Sequence, residues 1–472
     1  MRNLHIRRTF ALALFIIAFS LLWASNRQGL LLPATDRHIS IPDELTVPLQ
    51  LRATYNESMI HFQYRWPAER PHVIHDALRF ENGEWVRYGE TSAEPELYGL
   101  HEDRVAMMVD DGSVPEFGRY GGFITIGSRL DGFTDGLTTE DVEAHPYFGK
   151  VRGQDAATKY LPATRTDPAD WGAVQPEERL AQLRKAGYFI DLWHWRSNRG
   201  GPIGVADDQV VAESRDGDDG SSAWFTNWDS EKKQPKFMFD PAKAGYASLT
   251  WDDVLNGTFP LDSIHHLHVD TMLPFDPNYA WKEDDTLPRR ALRNPLGSRA
   301  DIHATKKWDN GYWTVTMSRA LDTGNPLDDK AFHVGGNYAI AVSMHRNATG
   351  RRWHYVSLPI ALGLGRAAEM QAVPFTGVTP QWEHNWHEVT LFYPGQVNWP
   401  LLTSKAHAGA ERITLGVPVK SYHNPDQLAH YGVEIEYADE ILAQWRLTLI
   451  VGLLLFFAIG FTLLRNLNNY KK

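Results

Sequence analysis

Apolar and polar residues alternate along several stretches of the chain, the period-two pattern of half-buried strands. "LTVPLQLRATYNESMIHFQYRW" alternates on both sides of Asn56-Glu57-Ser58 and predicts a hairpin. "RADIHATKKWDNGYWTVTMSRAL" does the same around Asn310-Gly311, a two-residue turn. "NYAIAVSMHRNATGRRWHYVSLPIAL" predicts a third hairpin turning at Asn347-Ala348-Thr349-Gly350. "DLWHWR" reads as a strand on which His194 shares a face with Leu192 and Arg196, while Trp193 and Trp195 take the other. Helical periodicity is confined to Pro176–Gly187, apart from two apolar runs near the ends. "AESRDGDDGSSAWF" and "AWKEDDTLPRRALRNPLGSRAD" are polar and irregular, the kind of loop that wraps a site. After about Pro380 the pattern changes to an extension without a clear core.

Many short strands with regular turns argue for an all-β fold, a β-sandwich with long loops. The two apolar runs add two flanking transmembrane helices. Thr9 to Ala24 follows Arg2, Arg7 and Arg8 and reads as an uncleaved anchor, with a cleaved signal as the alternative. Leu447 to Leu464 carries no charge, has Trp445 at one edge, and has Arg465, Lys471 and Lys472 beyond the other. Positive charge at both ends predicts cytoplasmic termini in a bacterial inner membrane, with the acidic middle in the periplasm. The expected organisation is 1–26 anchor or signal, 27–380 sandwich domain, 381–444 membrane-proximal extension, 445–466 transmembrane helix and 467–472 cytoplasmic tail.

Composition narrows the chemistry. The formal net charge of −11 and the lack of a basic run argue against nucleic acid as a partner. There is no cysteine, which excludes disulfides, thiolate metal sites and covalent haem c. The 17 tryptophans suit either β cores or pockets for flat ligands. No nucleophile elbow, zinc-protease helix, P-loop or dinucleotide fingerprint is present.

Individual histidines are weak signals. The "HHLH" of His265, His266 and His268 puts two imidazoles on one strand face, an incomplete metal set, and reads as a hydrogen-bonded cluster. His194 and His354 each sit among aromatics. Met107 and Met108 offer thioethers on an apolar strand. Together these positions suit non-covalent haem b: imidazole or thioether on the iron, aromatic walls, and Arg196, Arg199, Arg351 and Arg352 for the propionates. Two other readings remain open: a haem-free sandwich that binds or scaffolds in a membrane complex, and a hydrolase that stacks sugars on its tryptophans.

"DLWHWRSNRGGPIGVADDQ", "EDRVAMMVDDGSVPEFG", "ATKYLPATR", "WDNGYWTVTMSRALDTGNPLDD" and "GRRWHYVSLPIALGLG" resemble, in order, segments of the ethylbenzene dehydrogenase-related haem-binding domain family. The resemblance covers roughly Leu45 to Gly365 and, through "TLFYPGQVNWPLL", extends more loosely to His423. It implies an immunoglobulin-like β-sandwich that holds one b-type haem. It also implies electron transfer with a partner such as the iron–sulfur subunit of a molybdenum enzyme or a quinol-linked chain. Its best-known members ligate iron with a methionine and a lysine. By position the resemblance points to His354 as one ligand and Met107 or Met108 as the other, with Lys159 as an alternative. Trp193, His194, Trp195, Arg196, Arg352 and Trp353 are then expected around the macrocycle. Longer relatives carry cysteine–histidine motifs at two places. Here the first reads "GRYGGFITIGS", with neither residue, and the second reads "GVPVKSYH", keeping only His423 as a further candidate ligand.

Overall fold

A computed structural model describes residues 10, 12–21, 45–89, 100–127, 133–150, 153–257, 263–346, 354–382, 385–395 and 397–470. Chain contacts separate Glu44–Tyr431 from a second unit made of Met1–Asp43 and Gly432–Lys472.

The larger unit is built on one 13-stranded sheet. In chain order its strands are β1 (Thr46–Tyr55), β2 (Met59–Pro67), β3 (Arg104–Asp110), β4 (Ile190–Arg196), β5 (Asp207–Val211), β6 (Arg215–Gly217), β7 (His303–Asp309), β8 (Tyr312–Ala320), β9 (Asn337–His345), β10 (Tyr355–Val356), β11 (Ile360–Leu364), β12 (Met370–Pro374) and β13 (His387–Phe392). The alternation read from sequence is physical: Val47, Leu49 and Leu51 on β1 and Ile60, Phe62, Tyr64 and Trp66 on β2 are fully buried, with more exposed residues between them. Both legible hairpins form. Asn310 and Gly311 take φ of 49° and 78°, the pair of positive values that matches a tight turn to strand twist. The third turn, 347–350, lies outside the described residues, as do Arg351, Arg352 and Trp353. The helix foreseen in 176–187 is Glu177–Lys185.

The strands do not divide into the two separate sheets of a sandwich. β9 pairs along one edge with β3, and its other edge is shared between β11 near its start and β10 near its end. That split closes a ring: β9, β10, β13, β1, β12, β11 and back to β9. Two wings leave this six-stranded barrel, β3-β4-β5-β6 and β2-β8-β7. Aromatic rings join the wings face to face. Trp195 meets Trp66 at 6.2 Å and Trp313 at 5.4 Å between centroids, and Trp193 meets Phe62 edge-on at 5.5 Å.

The segment after 380 belongs, as far as Tyr431, to the larger unit. β13 lies between β10 and β1 in the barrel wall. The short helices Trp399–Thr403 and Ala410–Thr414 follow, and Tyr120 Oη donates to the Ile413 carbonyl at 3.1 Å. Phe392 stacks on Phe123 at 5.7 Å. Apolar residues of this late segment roof the outer face of β3 and β4 in one cluster with Ala106, Leu192 and Ala341. The polar stretches expected to be loops contain short strands, Trp224–Thr226, Asp285–Pro288 and Arg290–Leu292, that build a satellite core around Trp85, Trp251 and Leu287.

In the smaller unit, Ala438–Asn466 is long and apolar enough to cross a membrane, with a mean hydropathy of 2.7 over its most apolar window. Of the N-terminal apolar run, the described residues Leu12–Leu21 are helical.

Candidate functional site

Strand β4 carries a different chemistry on each face, and both faces are buried. On the inner face Asp191, Trp193 and Trp195 alternate. Arg319 from β8 lies 4.6 Å above the Trp193 ring. Its guanidinium reaches Asp191 at 2.6 Å, Asp329 at 2.7 Å and Asp208 at 3.1 Å, and also the Lys330 carbonyl at 3.0 Å. Trp193 and Trp195 therefore belong to the aromatic core. They do not wall a compartment with His194, because the pleat sends them to the opposite side. The Gly200-Gly201 pair that follows the strand has a packing reason: a Cβ at Gly201 would sit 2.8 Å from the Arg196 carbonyl oxygen and 3.1 Å from Trp195 Nε1.

On the outer face, strand register gathers the cations. Arg104 of β3 faces Arg196 on β4 and His345 on β9, and Ala106 faces His194 and Ser343. His194 Nδ1 lies 3.0 Å from Arg196 Nη2 and 2.7 Å from Arg215 Nη2. Guanidinium groups only donate, so Nδ1 is the acceptor and the ring's proton sits on Nε2. That Nε2 is buried without a partner among the described residues. Burial first, then Arg196 and Arg215, holds the imidazole neutral, far below its usual pKa. His345 stacks on His354 at 5.0 Å with ring planes 11° apart, and its centroid lies 6.4 Å from that of His194. Its Nδ1 is likewise buried and unpartnered among the described residues.

The cluster holds more positive charge than its carboxylates balance. Glu102 pairs with Arg199 at 2.7 Å and Arg104 at 3.3 Å, and Asp207 pairs with Arg196 and Arg299, both at 2.7 Å. Burial would raise the Asp207 carboxyl, but the two guanidinium groups overcome it and hold it at about 2. Arg215 and Lys159 have no ion pair among the described residues; Arg215 is held by the Gln209 amide oxygen at 2.7 Å and 3.0 Å. Half-buried Lys159 donates to Thr125 Oγ1 at 3.2 Å, and desolvation, then Arg215, lowers its ammonium to about 8. Thr125 Oγ1 in turn donates to the Gly122 carbonyl at 2.7 Å. Met108 abuts the same turn: a Cβ at Gly122 would lie 3.8 Å from its Sδ.

The methionine pair is split by the pleat. Met108 joins the outer apolar cluster, whereas Met107 faces the core, where Tyr64 Oη donates to its Sδ at 3.1 Å. Met107 is therefore excluded from the outer compartment. His423 pairs with His407, Nε2 to Nε2 at 3.1 Å. His407 Nδ1 meets the Leu402 carbonyl at 2.9 Å and must donate there, so His407 Nε2 accepts the proton carried by His423 Nε2. That bond occupies His423 Nε2. Of the "HHLH" histidines, His265 and His268 are buried and His266 is half-buried, with His265 Nδ1 on the Ser263 carbonyl at 3.0 Å.

His194, Arg196 and Met108 thus share the outer face of one wing, and His354 of the neighbouring ring adjoins it through its stack on His345. Arg104, Arg215, His345, Glu102 and Asp207 join them without having been foreseen. His345 had a signal, since it ends the alternating run "YAIAVSM". Arg215 had none, because it comes from a stretch that reads as loop.

Fold and site define a β protein with a closed strand ring and, beside it, a buried cluster of cations and imidazoles next to an apolar cluster. A family model described as ethylbenzene dehydrogenase matches residues 22–357, and the chain belongs to that family. No curated protein sequence matches the chain as a relative.

Proposed function

We propose that the outer compartment binds one non-covalent b-type haem and that the chain carries single electrons at a membrane surface. The observation that supports it most is the convergence of Met108 and Lys159 on the Gly122–Thr125 turn, next to a buried cluster with surplus positive charge. Methionine and lysine are the ligand types that the family resemblance implies. The donor set suits the group: a thioether, an amine with a lowered pKa, an unpartnered imidazole N–H, and guanidinium groups short of counter-charge.

Each residue has a separable task. Lysine binds a metal only as the neutral amine, and desolvation beside Arg215 brings Lys159 close to that state near neutral pH. Arg196, Arg215 and Arg104 offer forked donors to the two propionates. His194 donates from Nε2 and cannot also ligate through that atom while both arginines occupy Nδ1. Phe123, Phe392 and Leu402 exclude water from the roof. When bound, the haem supplies a one-electron couple, and a thioether ligand favours its reduced state. The helix Ala438–Asn466 would hold the domain at the membrane, with Arg465 on the cytoplasmic side and the β unit outside. An iron–sulfur subunit or a quinol-linked chain is the partner class.

Absorption spectra of the full chain in detergent, expressed with haem supplied and then oxidised and dithionite-reduced, test the reading. The wild type should show a reversible low-spin spectrum. Met108→Leu and Lys159→Met should each convert it to high-spin or lose haem, and His354→Ala should keep it. A colourless wild type rejects the haem reading in favour of a haem-free binding subunit. Loss of the low-spin spectrum in His354→Ala alone rejects the methionine–lysine pair.

A further inference from the structure

A second imidazole cluster lies off this compartment, where residues 71–76 run beside residues 100–103. Three hydrogen bonds lock the two segments together: Asp103 N to the His72 carbonyl at 2.8 Å, His72 N to Asp103 Oδ2 at 2.9 Å, and Asp76 N to the Leu100 carbonyl at 3.1 Å. Ser197 and Asn198, just after β4, add bonds to the carbonyls of His72 and Val73 at 2.6 Å and 2.8 Å. The backbone is therefore fixed on both sides of His75, Asp76 and His101.

These three side chains are 2%, 0% and 2% exposed, and a ligand atom from each lies within 4.8 Å of the others. His75 Nε2 is 3.7 Å from Asp76 Oδ1, and the two imidazole centroids are 5.9 Å apart. Both spacings are too long for direct hydrogen bonds, yet they suit groups that share a central atom. Four atoms are buried without a hydrogen-bond partner among the described residues: His75 Nδ1, Asp76 Oδ1 and both nitrogens of His101. Leaving such atoms unmet costs lost hydrogen bonds, and a single ion could take Asp76 Oδ1 and one nitrogen from each ring.

The second oxygen of Asp76 is spoken for. Arg290 Nη2 holds Oδ2 at 2.7 Å and Arg289 approaches to 3.8 Å, which aims Oδ1 at the imidazoles. Such a hydrogen-bonded carboxylate is how metal sites orient an oxygen ligand. Burial, followed by nearby arginines, also keeps both imidazoles neutral, so their lone pairs are available.

We propose that His75, Asp76 and His101 form a three-ligand site for a divalent first-row transition metal of the zinc class. Two nitrogens and one carboxylate oxygen match that class and not calcium or magnesium, which take oxygen cages. Arg104, Arg199, Arg289 and Arg290 surround the site and are offset only in part by Asp76, Glu102 and Asp103. A hydrated, loosely held cation would be repelled there, so binding must be inner-sphere.

The test uses tag-free full-length chain in detergent, stripped with a chelator and reloaded with zinc chloride. Metal counted by mass spectrometry after gel filtration should reach one zinc per chain. Asp76→Asn and His101→Gln should each weaken zinc binding at least tenfold by calorimetry, while His265→Gln should not. Zinc-edge X-ray absorption of the loaded wild type, which needs no variant to fold, should show two imidazole ligands and no sulfur. Failure to retain zinc, retention unaffected by both variants, or a zinc shell of oxygen alone would each overturn the proposal. Haem is measured on the same samples. Loss of haem together with zinc in His101→Gln would assign that imidazole to the haem and also overturn a separate site. A colourless wild type that still binds zinc would reject the haem reading and leave this one standing.

Discussion

The two faces of β4 each hide charge in the interior, and they do it in opposite ways. On the inner face one guanidinium, Arg319, sits among the carboxylates of Asp191, Asp208 and Asp329. On the outer face several cations surround an imidazole whose Nε2 has no hydrogen-bond partner among the described residues. Buried charge closed around its own counter-ions is architecture. Buried charge of one sign, with donors left over, is the chemistry that a group of the other sign would require.

The sharpest test of that contrast removes the central cation of the inner cluster. Arg319→Met leaves three buried carboxylates facing each other and should cost about 3–5 kcal/mol in chemical denaturation. A loss below about 1 kcal/mol would show that the inner cluster is not structural. Next in size is Asp218, whose two oxygens have no hydrogen-bond partner among the described residues and whose carboxyl is pushed up to about 9 by burial, then by Asp191 and Asp329. Its folded-state pKa lies above its unfolded value. Its contribution is therefore full below the unfolded pKa, near 4, and is lost as pH rises toward 9. Asp218→Asn should flatten that decline and be more stable than wild type at alkaline pH by about 1–3 kcal/mol, read from denaturation midpoints across pH.

On the outer face the expected effects fall on binding. If Lys159 ligates as the free amine, haem affinity should rise roughly tenfold per unit between about pH 6 and 8 and level off above, and Lys159→Met should remove the slope. An affinity independent of pH in the wild type would take Lys159 out of the coordination shell. The smallest change in stability is expected for Arg215→Met. Removing one surplus cation should move the unfolding midpoint of the haem-free chain by less than about 1 kcal/mol while haem affinity drops. A large loss of stability there would erase the difference between the two faces.

Local physics made part of this legible. Alternation around Asn310-Gly311 and along "DLWHWR" fixed strands, turn and facing, because a period of two is a property of the backbone itself. Membership of the ethylbenzene dehydrogenase family was legible too, since its segments are long and ordered. The barrel was not. It depends on β9 sharing one edge between two partners and on β12 running parallel to β1, pairings with no trace in any short window. The split between Met107 and Met108 follows from the pleat and needed only the strand to be taken literally. The recruitment of Arg215 beside His194 needed β6, three residues within a segment that reads as loop. The flat-ligand reading of Trp193 and Trp195 failed for a similar reason: a second wing covers them, and nothing nearby in sequence announces it.

The position of β13 has a consequence for how the molecule is made. Gln50 on β1 bonds Glu388 on β13, 338 positions further along the chain. That seam cannot form until nearly the whole β unit has been synthesised. A topology of such high contact order folds slowly and leaves strand edges open meanwhile. Maturation is then ordered in time, with an unfinished sheet first and ring closure last. Truncation before residue 387 would yield an aggregating product rather than a shorter working one.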